Sequence, residues 1–423
     1  MGLVFQRLSV GAPLEARATL ALGFLLLAAL LGGLLVKGVS LPGVTGYLLI
    51  GFVAGPSVLG LIREDEVQGL EFLSDAAVAL IALAAGGELK LEALRRQGRL
   101  IGRLTLGAIA APGVLVIAGV LAASAWMPLT APHEWGDRLA IAILLGVVAA
   151  ASSPAVAIAV IAEARAEGPL ARTVLATTVA KDVVVIVLFM VALAAARGIT
   201  SVGSVDVAFV ASAIGELIGS IALGLLLGWL IAQYLKFVRQ HLVLFVVGVA
   251  FVTAEAARLL HLETMLVALV AGFFMENISP VEGEELVRGV ERSSLPIYAV
   301  FFGLAGARLH LDVLTAVGPW VAAIALLRLG GLVWATRWAA GGHEIVRRYG
   351  WMGLVSQAGV TLGLATIVRR AFPTWGLSLE MLIVGLITVH ELVGPILFRV
   401  ALHRAGEVKE HAAVRRAVPA AAH

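Results

Sequence analysis

The chain has 423 residues, 60% of them apolar and 14% charged, with a mean hydropathy of +1.00. Soluble domains carry about 25% charged residues, so this composition excludes a chain whose whole surface meets water. The formal charge of +3 and pI of about 9.4 do not point to nucleic acid, because the basic residues lie in short connections between apolar runs. Cysteine is absent, which excludes disulfides and thiolate-held metal.

Thirteen apolar runs follow in order: 18–36, 42–61, 73–88, 100–126, 139–162, 170–195, 207–235, 241–257, 263–277, 294–307, 313–336, 349–368 and 379–402. Most are long enough to cross a hydrocarbon core of ~30 Å, and the third, ninth and tenth are short. The pattern predicts an all-α polytopic membrane protein of about thirteen transmembrane helices, with the lipid bilayer as its surroundings. Span 1 starts after Arg17 and is longer than the core of a signal peptide, so it is read as a retained helix. Twenty basic residues fall on the side of the odd-numbered loops and the C-terminus, and nine on the other side. The excess marks the cytoplasmic face, placing the N-terminus outside and the C-terminus inside. Only Lys181 and Arg328 remain within the membrane.

Span 5 contains AAASSPAVAIAV, which puts Ser152, Ser153 and Pro154 in mid-membrane. Proline cannot donate a backbone hydrogen bond, and serine hydroxyls can satisfy the freed carbonyls, so a broken helix is predicted. Span 6 contains ATTVAKDVVVIVLF. Lys181 stands ~16 Å deep at 1.5 Å per residue, too far for its side chain to reach either headgroup layer. A charge there costs at least ~2.5–3.5 kcal/mol and usually lines a substrate or proton path. The competing reading is a buried ion pair with Asp182 that only braces the bundle. Adjacent helical residues point about 100° apart, so Lys181 shares a face with Thr177, and Asp182 with Thr178. An aspartate beside a hydroxyl suits a hard monovalent cation, with Na+ at Asp182 as the hypothesis. A desolvated lysine is a credible proton carrier, whereas Arg328 in span 11 would act as fixed charge.

Span 12 contains LVSQAGVTLGLA, where Ser356, Gln357, Gly359, Thr361 and Gly363 interrupt the apolar pattern. It reads as a second broken helix. Such pairs at matching positions of two halves point to a transporter's site. The breaks are seven spans apart, an odd offset that fits inverted repeats over spans 1–6 and 8–13 with span 7 as linker. Each precedes a span with an internal acid, Asp182 or Glu391. Glu391 is either a second ion ligand or a helix-end hydrogen-bonding group. Glu88, Asp75, Glu255 and Glu276 are expected near span ends. Trp320, Trp334 and Trp338 are expected in interfacial belts or packing, and residues 279–294 as a surface amphipathic segment. His390 is a candidate pH sensor or a structural side chain.

The stretches LPGVTGYLLIGFVAGPSVLGLI (41–62), FLSDAAVALIALAAGGELKLEALRR (72–96), ASSPAVAIAVIAE (151–163), TTVAKDVVVIVLF (177–189), GLVSQAGVTLGLA (353–365) and ELVGPILFRVALHRAGE (391–407) occur in this order. Together they resemble the monovalent cation:proton antiporters, in the sodium or potassium:proton exchanger branch that includes the glutathione-gated potassium efflux proteins. The resemblance implies a homodimer. Its scaffold would comprise residues 18–92 and 241–310, and its transporting core residues 98–200 and 313–403. Residues 207–235 would link them, and 404–423 would form a short cytoplasmic tail. The two broken helices would cross beside Asp182, which falls on the family's ion- and proton-binding aspartate. Ser152, Ser153, Gln357 and Gly359 fall on the crossing, and the core would move as an elevator.

The chain departs from that family at Lys181, where an Asp, Asn or Gln is usual. Electrogenic members carry a lysine on the helix before the second crossing, and here LLRLGGLVW has Gly331 at the place expected for it. One reading is that the positive charge has moved from span 11 to span 6. The expected function is exchange of Na+, or K+ or Li+, for protons, with no cofactor and no enzymatic chemistry. GxSxG and Walker motifs and histidine-rich metal spacing are absent. The alternative is a transport-incompetent or channel-like member whose site Lys181 neutralises. The compact chain favours a multi-pass protein of the cell inner (plasma) membrane.

Overall fold

The computed structural model describes residues 13–38, 42–200, 207–238, 242–279, 294–309, 311–357 and 359–408. The amphipathic segment from residue 280 to 293 and the tail from residue 409 lie outside the described residues. Sixteen helices are described: α1 (Leu14–Gly38), α2 (Gly43–Ala54), α3 (Glu64–Gly69), α4 (Glu71–Glu88), α5 (Leu91–Ala122), α6 (Trp135–Ala150), α7 (Pro154–Ala164), α8 (Pro169–Ile199), α9 (Val207–Phe237), α10 (Leu242–Leu259), α11 (Thr264–Asn277), α12 (Ser294–Ala307), α13 (Leu311–Ala339), α14 (Glu344–Gly353), α15 (Gly359–Ala371) and α16 (Gly376–Arg404). A lone antiparallel bridge joins Ala166 to Val408.

Among the described residues, seven helical stretches are long and apolar enough to cross a membrane: Leu14–Val36, Arg95–Ala122, Trp135–Ala164, Pro169–Ile199, Ile214–Phe237, Val317–Ala339 and Gly376–Arg404. Shorter apolar helices occupy Gly43–Ala54, Thr264–Asn277 and Pro296–Ala307. Trp334 and Trp338 project outward from α13. Glu255 pairs with Arg258, and Glu276 lies 3.6 Å from Lys90.

Packing sorts these helices into two sets. One comprises α1–α4 with α9–α12, and the other α5–α8 with α13–α16. The first set is tied by two crossings of the same construction, α4 on α11 and α2 on α12. A Cβ at Gly86 would overlap the Leu269 carbonyl, and one at Gly272 the Leu83 carbonyl. In the second crossing, Gly51 meets the Gly303 carbonyl and Gly306 meets that of Leu48. Lipid tails offer helices no hydrophobic drive to associate, so close backbone contact through small residues supplies the attraction. We expect Gly272→Leu to force α4 and α11 apart and cost at least ~1–3 kcal/mol. The thermal midpoint of the purified protein would fall well below that of Gly248→Leu, where a side chain meets open space.

Contacts between the two sets are sparser. Glu163, near the end of α7, accepts hydrogen bonds from the Gly43 and Val44 amides at 2.5 and 2.9 Å. These are the first amides of α2, which lack intrahelical partners, and the carboxylate complements the positive end of that helix. Arg399 on α16 stands 3.4 Å from the same carboxylate. Within the second set, Glu407 folds back to accept from the Leu170 and Ala171 amides at 2.7 and 2.8 Å, capping α8.

Candidate functional site

The break in span 5 is written locally. Ser153 is the N-cap of α7, its hydroxyl accepting from the Val156 amide at 3.3 Å, and Pro154 takes the first helical position. Proline there disfavours a helical residue before it while fitting the start of a new helix. Pro154 therefore begins a second helix rather than kinking a continuous one. The break in span 12, residues 354–357, contains no proline. It is held open by contacts from elsewhere, and Gly394 lets α16 pass directly against Ser356.

The two breaks meet. The Ser153 amide donates to the Ser356 carbonyl at 2.8 Å, and the Ser152 hydroxyl donates to the Leu354 carbonyl at 2.7 Å. The Gln357 amide nitrogen donates to the Val148 carbonyl at 3.0 Å, while its oxygen lies 2.9 Å from His390 Nδ1. Gly359 is the first residue of α15.

Arg328, reaching in from α13, closes the crossing. Its Nε donates to the Ala149 carbonyl, and its two terminal nitrogens to those of Val355 and Ala151, each at 2.7 Å; one also reaches Leu354 at 3.2 Å. The carbonyls at the ends of α6 and α14 have no intrahelical partners and carry the negative ends of two helix dipoles. A single fully buried guanidinium satisfies both. The charge on α13 thus remains at the crossing, and Lys181 adds to it rather than replacing it. Gly331 is closed to a side chain: a Cβ would lie 2.5 Å from the Pro112 Cα of α5.

Lys181 and Asp182 are in the middle of α8 and part company. Lys181 is fully buried, its Nζ donating to the Ser152 hydroxyl at 2.8 Å. Asp182 is 6% exposed and takes no hydrogen bond or ion pair among the described residues. It lines a cavity of about 20 Å³ between the two helix sets, together with Pro154 at the positive N-terminal end of α7. Thr178 donates to the Leu175 carbonyl of its own helix at 2.9 Å, and the buried Thr177 hydroxyl finds no partner. The structure therefore joins Ser152, Ser153, Lys181, Arg328 and Gln357 in one hydrogen-bonded unit, with Asp182 beside it. Glu391 lies in mid-α16 with Oε1 buried and unbonded, so it is not a helix-end group.

Sequence reasoning missed Glu263. Opening the apolar run ETMLVAL, it reads as an ordinary boundary charge, yet it lines the same cavity as Asp182.

The sequence profile described as "Sodium/hydrogen exchanger, transmembrane" matches residues 25–402. Two structures of the sodium proton antiporter MjNhaP1 from Methanocaldococcus jannaschii superpose with TM-scores of 0.62 and 0.69. Each covers 93% of this chain, and 97% and 99% of the antiporter chain, at 18% and 19% identity, a likeness of fold. The protein named iron transporter MagA, from Paramagnetospirillum magneticum, is 32% identical over 166 residues, 39% of this chain. The match spans 35% of that relative's length.

Proposed function

The chain belongs to the sodium/hydrogen exchanger family, a family of transporters rather than enzymes, and from that premise we propose that it is a secondary antiporter. It exchanges a monovalent cation, Na+ first with K+ and Li+ as alternatives, for protons. The observation that carries the reading is Asp182: a carboxylate in mid-helix, 6% exposed, without a hydrogen-bond or ion-pair partner among the described residues, beside a small cavity at the junction of two helix sets. Burying an uncompensated carboxylate is costly, and a cation or a proton removes the cost. Asp182 binds the two in turn, and only the neutralised site crosses.

The two helix sets supply the moving parts. The set with both breaks and Asp182 is the transporting core, and the glycine-tied set is the scaffold, which pairs with that of a second copy. The core slides as an elevator, with its N-terminus outside and its C-terminus inside the cell inner membrane. Lys181 is bonded to Ser152 and does not line the cavity, so it keeps its protonation state while the cation binds. One proton then exchanges for one cation, without net charge movement. The silenced-site alternative needs Lys181 to pair with Asp182, and no such ion pair occurs among the described residues.

The test uses purified protein in liposomes with a preset proton gradient and a pH-sensitive dye, adding Na+, Li+ and K+ in turn. Collapse of the gradient on Na+ addition supports the reading. No response to any cation from folded protein would overturn it.

A further inference from the structure

We infer that Glu263 is a second cation-binding carboxylate, contributed by the opposite helix set, and that a monovalent cation sits between it and Asp182. The inference rests on the exchange reading of Asp182 and adds a ligand from outside the crossing.

The cavity of about 20 Å³ has one wall from α7 and α8, with Pro154, Val179 and Asp182, and another from the start of α11, with Glu263, Met265 and Leu266. Among the described residues, Asp182 and Glu263 are its only charged lining residues. The room matches a single water-sized occupant, since one water needs at least ~10–15 Å³ of such space. A partly dehydrated alkali cation is of that size. Asp182 is more than nine-tenths buried, lines this space and accepts no hydrogen bond among the described residues. Glu263 is half-buried and held in place by its backbone, whose amide donates to Ser220 on α9 at 3.0 Å.

Two carboxylates facing one small apolar-walled space repel unless a cation between them or a proton on one of them removes the charge. Among the described residues, no positively charged side chain lines that space. Lys181 is turned away to Ser152, and Arg328 is committed to the four carbonyls of the crossing. The other charged neighbours of Glu263 are acidic as well: Asp75 on α4 and Glu216 on α9. Arg258 and Arg308 offset Asp75, and His261 offsets Glu216, so the charge left at the cavity is that of the two lining carboxylates, one from each helix set, and these call for a cation. Oxygen-only donors select a hard ion over a soft one. One positive charge between them leaves a single negative charge for a proton to offset, so a monovalent ion suffices. Because Asp182 and Glu263 belong to sets that slide past each other in the proposed cycle, the two-carboxylate site exists at one end of the stroke only. It gives the cation a tighter seat on that side of the membrane.

The experiment compares the wild type with Glu263→Gln, Glu263→Asp and Asp182→Asn, reading both Na+-driven proton flux in liposomes and the Na+-induced rise in thermal midpoint. Glu263→Gln is expected to raise the half-saturating Na+ concentration roughly tenfold, equivalent to ~1.4 kcal/mol, and to shrink the Na+-induced thermal shift. Glu263→Asp, which keeps the charge, should fall between it and the wild type, and it serves as the folded comparison if the glutamine variant is unstable. Wild-type half-saturation in both Glu263 variants, with Asp182→Asn inactive, would overturn the inference and leave exchange intact. A wild type that responds to Mn2+ but to no monovalent cation would overturn the assigned ion charge. Lack of exchange by the wild type with every cation would instead remove the reading beneath it.

Discussion

Asp182→Asn is expected to reduce Na+-driven proton flux in liposomes to the protein-free level while leaving the protein folded. The carboxylate takes no hydrogen bond among the described residues and lines a cavity, so replacing one oxygen by an amide breaks nothing in the fold. It does remove the charge that alternates between cation and proton. An amide is neutral in both halves of the cycle, so the site can no longer be switched by what it carries. Lys181→Gln is the companion experiment. Its side chain can still donate to Ser152, and the cavity it leaves untouched still contains Asp182. Cation-driven flux should persist in that variant, with no dependence on an imposed membrane potential. If instead the wild type is voltage-dependent and the variant is not, or flux stops in a folded variant, Lys181 carries a second proton and the one-for-one cycle is wrong.

The largest loss of stability is expected from Arg328→Ala. Three carbonyls at two buried helix ends, those of Ala149, Ala151 and Val355, take this side chain as donor, and that of Leu354 shares it with Ser152. Removing one member of a buried charged network costs about 3–5 kcal/mol, because the partners keep their desolvation penalty without the bond that offset it. Bridging water at a fully buried site would have to enter the space left by the guanidinium. Size-exclusion profiles and thermal midpoints in detergent should show mostly aggregated or early-melting protein. Arg328→Lys should be intermediate. It restores a positive charge opposite the negative helix ends, but an ammonium has three donors and lacks the planar fork that reaches both breaks at once. Equal stability of the lysine variant and the wild type would mean that charge alone, and not the hydrogen-bonding geometry, holds the crossing together.

Composition and local pattern are enough to read the class, the place of the first break and the identity of the improbable charges. Hydropathy settles membrane residence because a bilayer leaves no alternative for runs this apolar. Ser153–Pro154 starts α7 by a purely local rule, an N-cap followed by proline at the first helical position, and so it is legible without neighbours. Lys181, Asp182 and Arg328 stand out because their cost in lipid is a property of each residue alone. The angular separation of adjacent residues also placed Lys181 and Asp182 on different faces, and the structure gives them different surroundings.

Only the tertiary structure decided what those charges meet. Arg328 is bound by backbone carbonyls of residues 149, 151, 354 and 355, and a carbonyl is the same group in every residue, so no side-chain pattern announces it. The second break has no proline to mark it, and it takes shape through Ser152, Ser153 and Arg328 from distant segments. Gly331 seemed a vacancy for a missing lysine, but its face is filled by Pro112 of another helix. Glu263 is in sequence an ordinary charge at a helix start, and only the packing of α11 makes it share a cavity with Asp182. Hydropathy and capping depend on near neighbours along the chain. Ligand geometry depends on which helices stand side by side, and that follows from close backbone packing at glycines far apart in sequence.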